Sequence, residues 1–182
     1  AIASDILGHY IENILPNGFK AQVVCSSKMA AIKYKTHIDE AIAAAAAVAD
    51  ADADAELAAT IGKLRSVVVV SGGDTNEAAV ITAARKHAKE VGAVKSFQSA
   101  FDFDDPQKEN TCIAFLVVCD MLLTGFDAPI EQVMYIDKKV RDHNLLQTIA
   151  RVNRVANEKK KRGYIVDYIG LAWHLKEALS IY

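Results

Sequence analysis

Short, nearly continuous runs of apolar residues recur along the chain and predict five β-strands. The runs are rich in Val, Ile, Leu, Phe and Tyr, and they lack the alternation of a strand with one solvated face. They are Ala21 to Cys25, Val67 to Val70, Phe115 to Cys119, Val133 to Ile136, and Tyr164 to Asp167. Runs of this kind are typical of a parallel sheet that is covered on both faces.

Stretches with helical composition and spacing separate these strands. They predict helices from Ser4 to Leu15, Lys28 to Glu40, Asn76 to Val91, Asn144 to Val155, and Leu171 to Ser180. Pro16, Asn17 and Gly18 end the first helix, which either docks on the sheet or links to an upstream segment. Residues 93–111 are polar and predict a long loop around short elements. The alternation predicts an α/β fold, an open and mostly parallel sheet with helices on both faces.

Residues 41–60 have an unusual composition, because twelve of the twenty are alanine. The high helix propensity of alanine favours a helical linker. The alternative hypothesis is that some of these alanines stand in for larger side chains. An intact mass that matches the printed sequence would exclude the alternative.

The overall composition predicts one globular domain. The chain has 182 residues, of which 52% are hydrophobic and 24% are charged. No apolar run reaches the roughly 18 residues of a membrane span, and the start lacks the layout of a signal peptide, so we expect a cytoplasmic protein without a membrane partner. The cysteines, Cys25, Cys112 and Cys119, are odd in number and lack metal-ligand spacing, which predicts buried free thiols in a reducing compartment.

The charge distribution leaves a nucleic-acid interface open. A net charge of −2 argues against a protein that coats nucleic acid by bulk attraction. Basic residues are nevertheless concentrated late in the chain, as Lys138, Lys139, Arg141, Lys159, Lys160, Lys161 and Arg162. These clusters belong either to solvated loops or to the sides of a nucleic-acid groove.

Four polar segments follow predicted strands. They are Ser26 to Lys28, Ser71 to Asp74, Asp120 to Asp127, and Asp137 to Lys139. Ligands of open α/β sheets gather at the carboxyl ends of the strands, so we expect these segments to meet at one edge.

The segment QTIARVNR at 147–154 carries the strongest chemical signal. On a helix, Gln147, Arg151 and Arg154 share one face, while Leu145, Ile149 and Val152 form a second, apolar face. Arginine is suited to phosphate because its planar, permanently charged fork donates two parallel hydrogen bonds. We expect both arginines to be exposed towards a partner; the alternative is an ordinary solvated face.

The segment from Asp120 to Pro129 predicts a shaped loop. Gly125 permits close backbone approach, Thr124 offers a hydroxyl, and Asp127 offers a carboxylate that can hold an arginine or a ribose. A simple turn is the alternative explanation for this segment taken alone.

Together these motifs resemble the second RecA-like motor domain of superfamily 2 helicases and translocases. Ala21 to Ser27 is similar to helicase motif IV, Leu123 to Pro129 to motif V, and Gln147 to Arg154 to motif VI. The segments LTGFDAP and ARVNR resemble, more narrowly, those of the restriction (motor) subunit of type I restriction-modification enzymes. Ala150 stands where most superfamily 2 helicases have glycine, which fits the restriction branch better than a generic RNA helicase.

The resemblance implies a RecA-like fold and a role for each motif. It implies that residues 1–20 lead in from an upstream domain, 21–170 form the RecA-like domain, and 171–182 are a helix leading to a following domain. Arg154 would be the arginine finger, assisted by Arg151 and ordered by Gln147. Gly125 and Asp127 would serve the nucleotide site and couple it to DNA. DNA phosphates would be contacted by Ser26, Ser27, Lys28 and Thr124.

The resemblance also implies cofactors and partners. ATP and Mg²⁺ would be held mainly by a first RecA-like domain of the same polypeptide. The other partners would be duplex DNA and the methylation and specificity subunits of a type I restriction complex. The chain has no phosphate-loop motif, since Gly62-Lys63 lacks the upstream glycine, and no acidic Mg²⁺ motif or nuclease cluster. It is therefore expected to be one domain of a larger ATP-dependent deoxyribonuclease and translocase, and to be inactive alone.

Two alternatives remain open at this point. One is the second half of an RNA or DNA helicase from another superfamily 2 branch. The other is a non-catalytic α/β module that binds a partner through Ser71 to Asp74.

Overall fold

The computed structural model describes residues 1–73, 75–104, 112–121, 126–140, 142–154, 158, 160, 162–171 and 173, without the side chains of 142–146. Its strands are β1 Lys20–Cys25, β2 Arg65–Val69, β3 Ile113–Val118, β4 Glu131–Asp137 and β5 Tyr164–Asp167. They form one sheet in the order β2-β3-β1-β4-β5, and every pairing in it is parallel. All five predicted strands are confirmed, as is the α/β fold class.

The helices fall on the two faces of this sheet. They are α1 Ile2–Asn13, α2 Lys28–Ala51, α3 Ala55–Lys63, α4 Ala79–Glu90, α5 Ala93–Gln98 and α6 Asp142–Val152. Buried residues of α1, α2 and α3 pack with one face of the sheet, and those of α5 and α6 pack with the other. Helix α4 lies at the β2 end, where Ile81 joins the first cluster and Ala88 packs against the second.

The central strands are buried on both sides, as their apolar runs predict. Every residue of β1 and β3 is buried, and Val23 of β1 lies in register with Val117 of β3 and Tyr135 of β4. Helix α1 docks on this sheet, with the Tyr10 ring 4.5 Å from the Phe115 ring. The three cysteines are buried and free, as predicted.

The predicted end of the second helix at Glu40 is wrong, because α2 continues to Ala51. Ile38, Ile42 and Ala49 are buried at helical spacing across the predicted boundary, so the alanine-rich stretch packs as part of the helix. A second helix, α3, occupies most of the remainder of that stretch, and Asp54 caps it by accepting a hydrogen bond from the Leu57 amide at 3.0 Å.

The other helix limits differ by a few residues. The first helix ends at Asn13 and passes through a 3₁₀ turn at Leu15–Asn17 to Gly18, whose φ of 76° is accessible to glycine. The predicted loop at 93–111 begins with α5, whereas residues 105–111 lie outside the described part. Most of the predicted helix from Leu171 to Ser180 also lies outside it. Among the described helices, none combines the length and the apolar character needed to cross a membrane.

Candidate functional site

The two halves of the predicted site lie at opposite edges of the sheet. Asp127 precedes Glu131, the first residue of β4, and therefore lies near the amino edge. Helix α6 follows β4 and returns antiparallel to it, so that its last turn, which contains Arg151, reaches the same edge. The expectation that Asp127 would lie at the carboxyl edge with Ser26 to Lys28 is wrong, because the chain crosses the sheet between β3 and β4.

Arg154 and Asp127 form an ion pair at the amino edge. The Arg154 Nη1 atom is 2.7 Å from Asp127 Oδ1, and the two side chains are 57% and 60% exposed. Arg151 donates from Nη1 to the Phe126 carbonyl oxygen at 2.8 Å and is only partly exposed. The expected exposure is therefore confirmed for Arg154 and wrong for Arg151, whose guanidinium is turned onto the chain's own backbone.

Arg154 does not lie on the helix face that its spacing predicts. Helix α6 ends at Val152, and the Arg154 amide donates to the Arg151 carbonyl in the turn that follows, at 3.1 Å. Gln147 is on the helix and exposed, one turn before Arg151. Val152 is buried and Ile149 packs against the same cluster, as predicted for the apolar face. The Leu145 side chain, Thr124 and Gly125 lie outside the described residues.

The two ends of the connection from α6 to β5 are joined by a hydrogen bond. Asn153 Oδ1 accepts a hydrogen bond from the Gly163 amide at 3.1 Å. Gly163 approaches Val152 so closely that a Cβ atom there would lie 2.2 Å from the Val152 carbonyl oxygen. Only glycine fits at this contact, and the contact fixes the start of β5 against the end of α6.

Beneath the arginines lies a buried polar cluster that the sequence interpretation missed. Lys160 is fully buried and donates from Nζ to the carbonyl oxygens of Pro129, at 2.8 Å, and Glu131. The Glu131 carboxyl is also buried and accepts from Gln22 Nε2 at 2.8 Å. The available signals were Gln22, a polar residue inside the apolar run of β1, and Glu131, an acid two residues before the apolar run of β4.

Burial governs protonation in this cluster. Burial raises the pKa of Glu131 to about 8, although the Gln22 amide and the positive charges of Lys160 and Arg151 oppose the shift. Burial lowers the pKa of Lys160, although the negative charges of Glu131 and Asp127 oppose that shift. Lys160 therefore does not belong to a solvent-facing basic cluster, as one interpretation of residues 159–162 required.

The carboxyl edge carries the other predicted contacts. Ser26 and Ser27 are exposed, and Ser27 caps α2 by accepting from the Ala30 amide at 3.0 Å. Lys28 Nζ pairs with Glu77 Oε1 at 2.9 Å, and Glu77 also pairs with Arg85. One carboxylate thus holds two cations beside the serines.

Two further polar segments end at this edge. Asp120, after β3, pairs with Lys138, after β4, and the hydrogen bond from Lys138 lowers the pKa of Asp120. The Lys138 ammonium is therefore already paired with the Asp120 carboxylate. Ser71, Gly72 and Gly73 are exposed after β2, while Asp74 lies outside the described residues.

Comparison with protein families gives one match over most of the chain. The family model described as type I restriction enzyme subunit R domain 3 matches residues 17–170. The chain is similar to the endonuclease subunit of the type I restriction enzyme HindI from Haemophilus influenzae, with 41% identity over 66% of this chain. It is also similar to the type I MjaIXP endonuclease subunit of Methanocaldococcus jannaschii, with 32% identity over the whole chain.

The chain spans only a small part of these relatives. It covers 11% of the Haemophilus influenzae subunit and 15% of the Methanocaldococcus jannaschii subunit. Among solved structures, a fragment of an HsdR subunit of a type I restriction enzyme from Vibrio vulnificus YJ016 has a similar fold. The TM-score is 0.57 at 16% identity, over 95% of this chain and 27% of that one.

Proposed function

Because the chain belongs to the family of type I restriction enzyme subunit R domain 3, we propose that it is the second motor domain of an ATP-dependent DNA translocase. In this proposal its amino edge completes an ATP site that a first RecA-like domain of the same polypeptide builds. Its carboxyl edge contacts the backbone of duplex DNA. Methylation and specificity subunits complete the type I restriction enzyme.

The observation that carries the proposal is the grouping of Arg151, Arg154 and Asp127 at one edge. Arg154 is exposed, and its partner is an exposed carboxylate on the same surface. An exposed carboxylate and a phosphate are both anions that a guanidinium binds through two hydrogen bonds, so the residues present fit a nucleotide phosphate. Arg154 is the residue that would contact it, and Asp127 is the group that holds Arg154 until then.

The residues of this chain have limited tasks in the reaction. ATP, when bound, supplies the phosphoanhydride bond whose hydrolysis drives movement. Arg154 neutralises negative charge that develops on the phosphoryl oxygens, an effect worth roughly 10³ to 10⁵ in rate for arginine fingers. Arg151 fixes the last turn of α6 on the Phe126 carbonyl, which places the residues that follow the helix. Gln147 lies one turn earlier and would order the nucleotide side of the cleft.

At the carboxyl edge, Ser26, Ser27 and Lys28 are the candidates for DNA phosphate contacts. Thr124, the fourth candidate, lies outside the described residues. Hydroxyls, backbone amides and ammonium groups bind phosphates without reading sequence, which suits a translocase. Lys28 supplies the ammonium for this contact, and its Nζ atom lies 2.9 Å from Glu77 Oε1.

The test is DNA-stimulated ATP turnover by the full-length R subunit assembled with its methylation and specificity subunits. Arg154→Ala should reduce single-turnover hydrolysis by about 10³-fold or more, because the transition-state charge loses its partner. The rate of Arg154→Lys should lie between those of Arg154→Ala and the parent, since a lysine keeps the charge without the planar fork.

Arg162→Ala is the matched control. Arg162 is exposed on the same connection, and its guanidinium lies 5.8 Å from the centre of the Tyr164 ring. Its removal should leave turnover within about twofold, as expected for a surface residue without a site contact. Unchanged turnover in Arg154→Ala would refute the arginine-finger assignment. Stimulation by duplex RNA instead of duplex DNA would favour another helicase branch.

A further inference from the structure

Lys160 joins the two segments that carry the proposed site. Its ammonium donates to the carbonyl oxygens of Pro129 and Glu131, in the turn that follows Asp127. Lys160 itself lies in the connection that begins with Asn153 and Arg154. The side chain therefore spans from the segment of the arginine to the segment of its carboxylate.

Three basic side chains, from α6 and the connection after it, bind residues 126–131 in chain order. Phe126 accepts from Arg151, Asp127 pairs with Arg154, and the next carbonyls accept from Lys160. Arg154 is exposed and Arg151 is partly exposed, whereas Lys160 is fully buried. Water cannot compete for the buried hydrogen bonds of Lys160, so these are the strongest contacts of the series.

The connection has few other fixed points among the described residues. Its base is closed by Asn153 and Gly163, and Gln132 Nε2 reaches the Arg162 carbonyl at 3.5 Å, the limit of a hydrogen bond. Between these ends, Lys160 is the buried contact. A buried ammonium loses its hydration, which is costly unless its donors are satisfied, and the carbonyl oxygens of Pro129 and Glu131 each accept one hydrogen bond from it.

From this geometry we propose that Lys160 is a positioning residue, which sets the distance between the Arg154 guanidinium and the transferred phosphate by fixing its segment on residues 129–131. This inference rests on the proposed function, since it acts through Arg154. Misplacement of a reacting group by about 1 Å can reduce a rate by about 10²-fold. Removal of the Lys160 ammonium should therefore lower turnover without removing any group that touches the nucleotide.

A double-mutant cycle in the assembled full-length R subunit separates positioning from general damage. Lys160→Met keeps the length of the side chain and removes the donors, and it should lower single-turnover hydrolysis by about 10- to 100-fold. In the Arg154→Ala background the same change should have no further effect, because no finger remains to be placed. Loss of folded protein would instead lower the residual rate by the same factor in both backgrounds.

Lys20→Met is the matched control. Lys20 is also a fully buried lysine, and it donates to a backbone carbonyl, that of Ser96 at 3.2 Å, but its ammonium lies over the Phe101 ring, on the side of α5. Its replacement should alter the thermal midpoint, and its effect on turnover should be the same factor with and without Arg154.

Each outcome decides the inference. Loss of turnover in Lys160→Met that disappears in Arg154→Ala supports positioning. A loss of equal size in both backgrounds, or no loss at all, overturns it while the finger assignment stands. No effect of Arg154→Ala itself refutes both. If Lys160→Met does not assemble, Lys160→Gln, which retains a shorter amide donor, is put through the same cycle with the same criteria.

Discussion

At the scale of single residues, the ion pair between Arg154 and Asp127 is suited to being broken. Both side chains are more than half exposed, and exposed pairs contribute only about 0–1 kcal/mol to stability. A phosphate can therefore replace Asp127 as the partner of Arg154 at small cost. The closest backbone contact of the site is that between Gly163 and Val152, at the two ends of the connection that carries Arg154.

Gly163→Ala should destabilise the chain by roughly 1–3 kcal/mol, because the new Cβ would overlap the Val152 carbonyl and the backbone must shift. Gly8→Ala is the opposite case: it lies within α1 with no atom within 4 Å of a Cβ position, and should stabilise by up to about 1 kcal/mol. Urea unfolding of both variants checks this prediction. Equal free energies of unfolding in Gly163→Ala and the parent would show that the close contact is not present.

At the scale of elements, β1 and β4 carry a polar pair near their amino ends, inside an otherwise apolar sheet. Gln22 Nε2 donates to Glu131 Oε2, while Gln22 Oε1 and Glu131 Oε1 have no hydrogen-bond partner in the described part of the chain. A proton on Glu131 would satisfy both of those oxygens, because the acid could then donate back to the amide. This agrees with the raised pKa of Glu131, about 8.

The raised pKa predicts a stability that falls as the pH rises. The folded chain keeps a proton on Glu131 up to about pH 8, whereas the unfolded chain releases it near the ordinary value of 4.5. The free energy of unfolding should therefore decrease between about pH 4.5 and pH 8, by at most about 1.4 kcal/mol per pH unit from this group, and level off above that range.

Glu131→Gln should remove this contribution, since its amide is neutral at every pH and can still pair with Gln22. Urea unfolding at pH 5, 6.5 and 8 should show a shallower pH dependence for the variant, with its largest gain over the parent at pH 8. Parallel curves for the two proteins would mean that Glu131 does not hold a proton in the folded state.

At the scale of the whole molecule, the two predicted contact surfaces are separated by the length of the sheet. The proposed nucleotide edge contains Arg151, Arg154 and Asp127, and the proposed DNA edge contains Ser26 to Lys28. A substitution at one edge should therefore remove direct contacts at that edge alone.

Lys28→Ala in the assembled enzyme should weaken DNA binding equally on all sequences and reduce the slope of log affinity against log salt by about one, as expected for one lost phosphate contact. Lys63→Ala is the control, because Lys63 ends α3 near the opposite edge and donates to the Phe103 carbonyl at 2.8 Å. Binding titrations at several salt concentrations check both variants. An unchanged slope in Lys28→Ala would exclude a phosphate contact, and would indicate that Glu77 keeps this ammonium.

Local patterns allowed the elements to be predicted, but not how distant segments meet. Continuous apolar runs predicted all five strands, because burial on both faces, as in β1 and β3, requires apolar side chains at successive positions, and the partly buried β5 has a similar composition. The same reasoning placed Asp127 at the wrong edge, since the crossover from β3 to β4 depends on strand order, which no local pattern contains. Arg154 was assigned to a helix that ends two residues earlier. Lys160 was grouped with its basic neighbours, in a solvated loop or on the side of a nucleic-acid groove, because its partners are backbone carbonyls, which have no signature in sequence.

Six residues of a strand extend about 20 Å, so β1 and β4 each run as a rigid element from one edge of the sheet to the other. Bending one of these strands requires many buried contacts to yield at once, whereas rotation of the whole sheet with its helices requires none of them to yield. A turn of about five degrees at the Arg154 end would displace the Lys28 end by between one and two ångströms, given that ~20 Å length. In the proposed motor, a small closing movement around a phosphate would thereby become a shift along a DNA backbone.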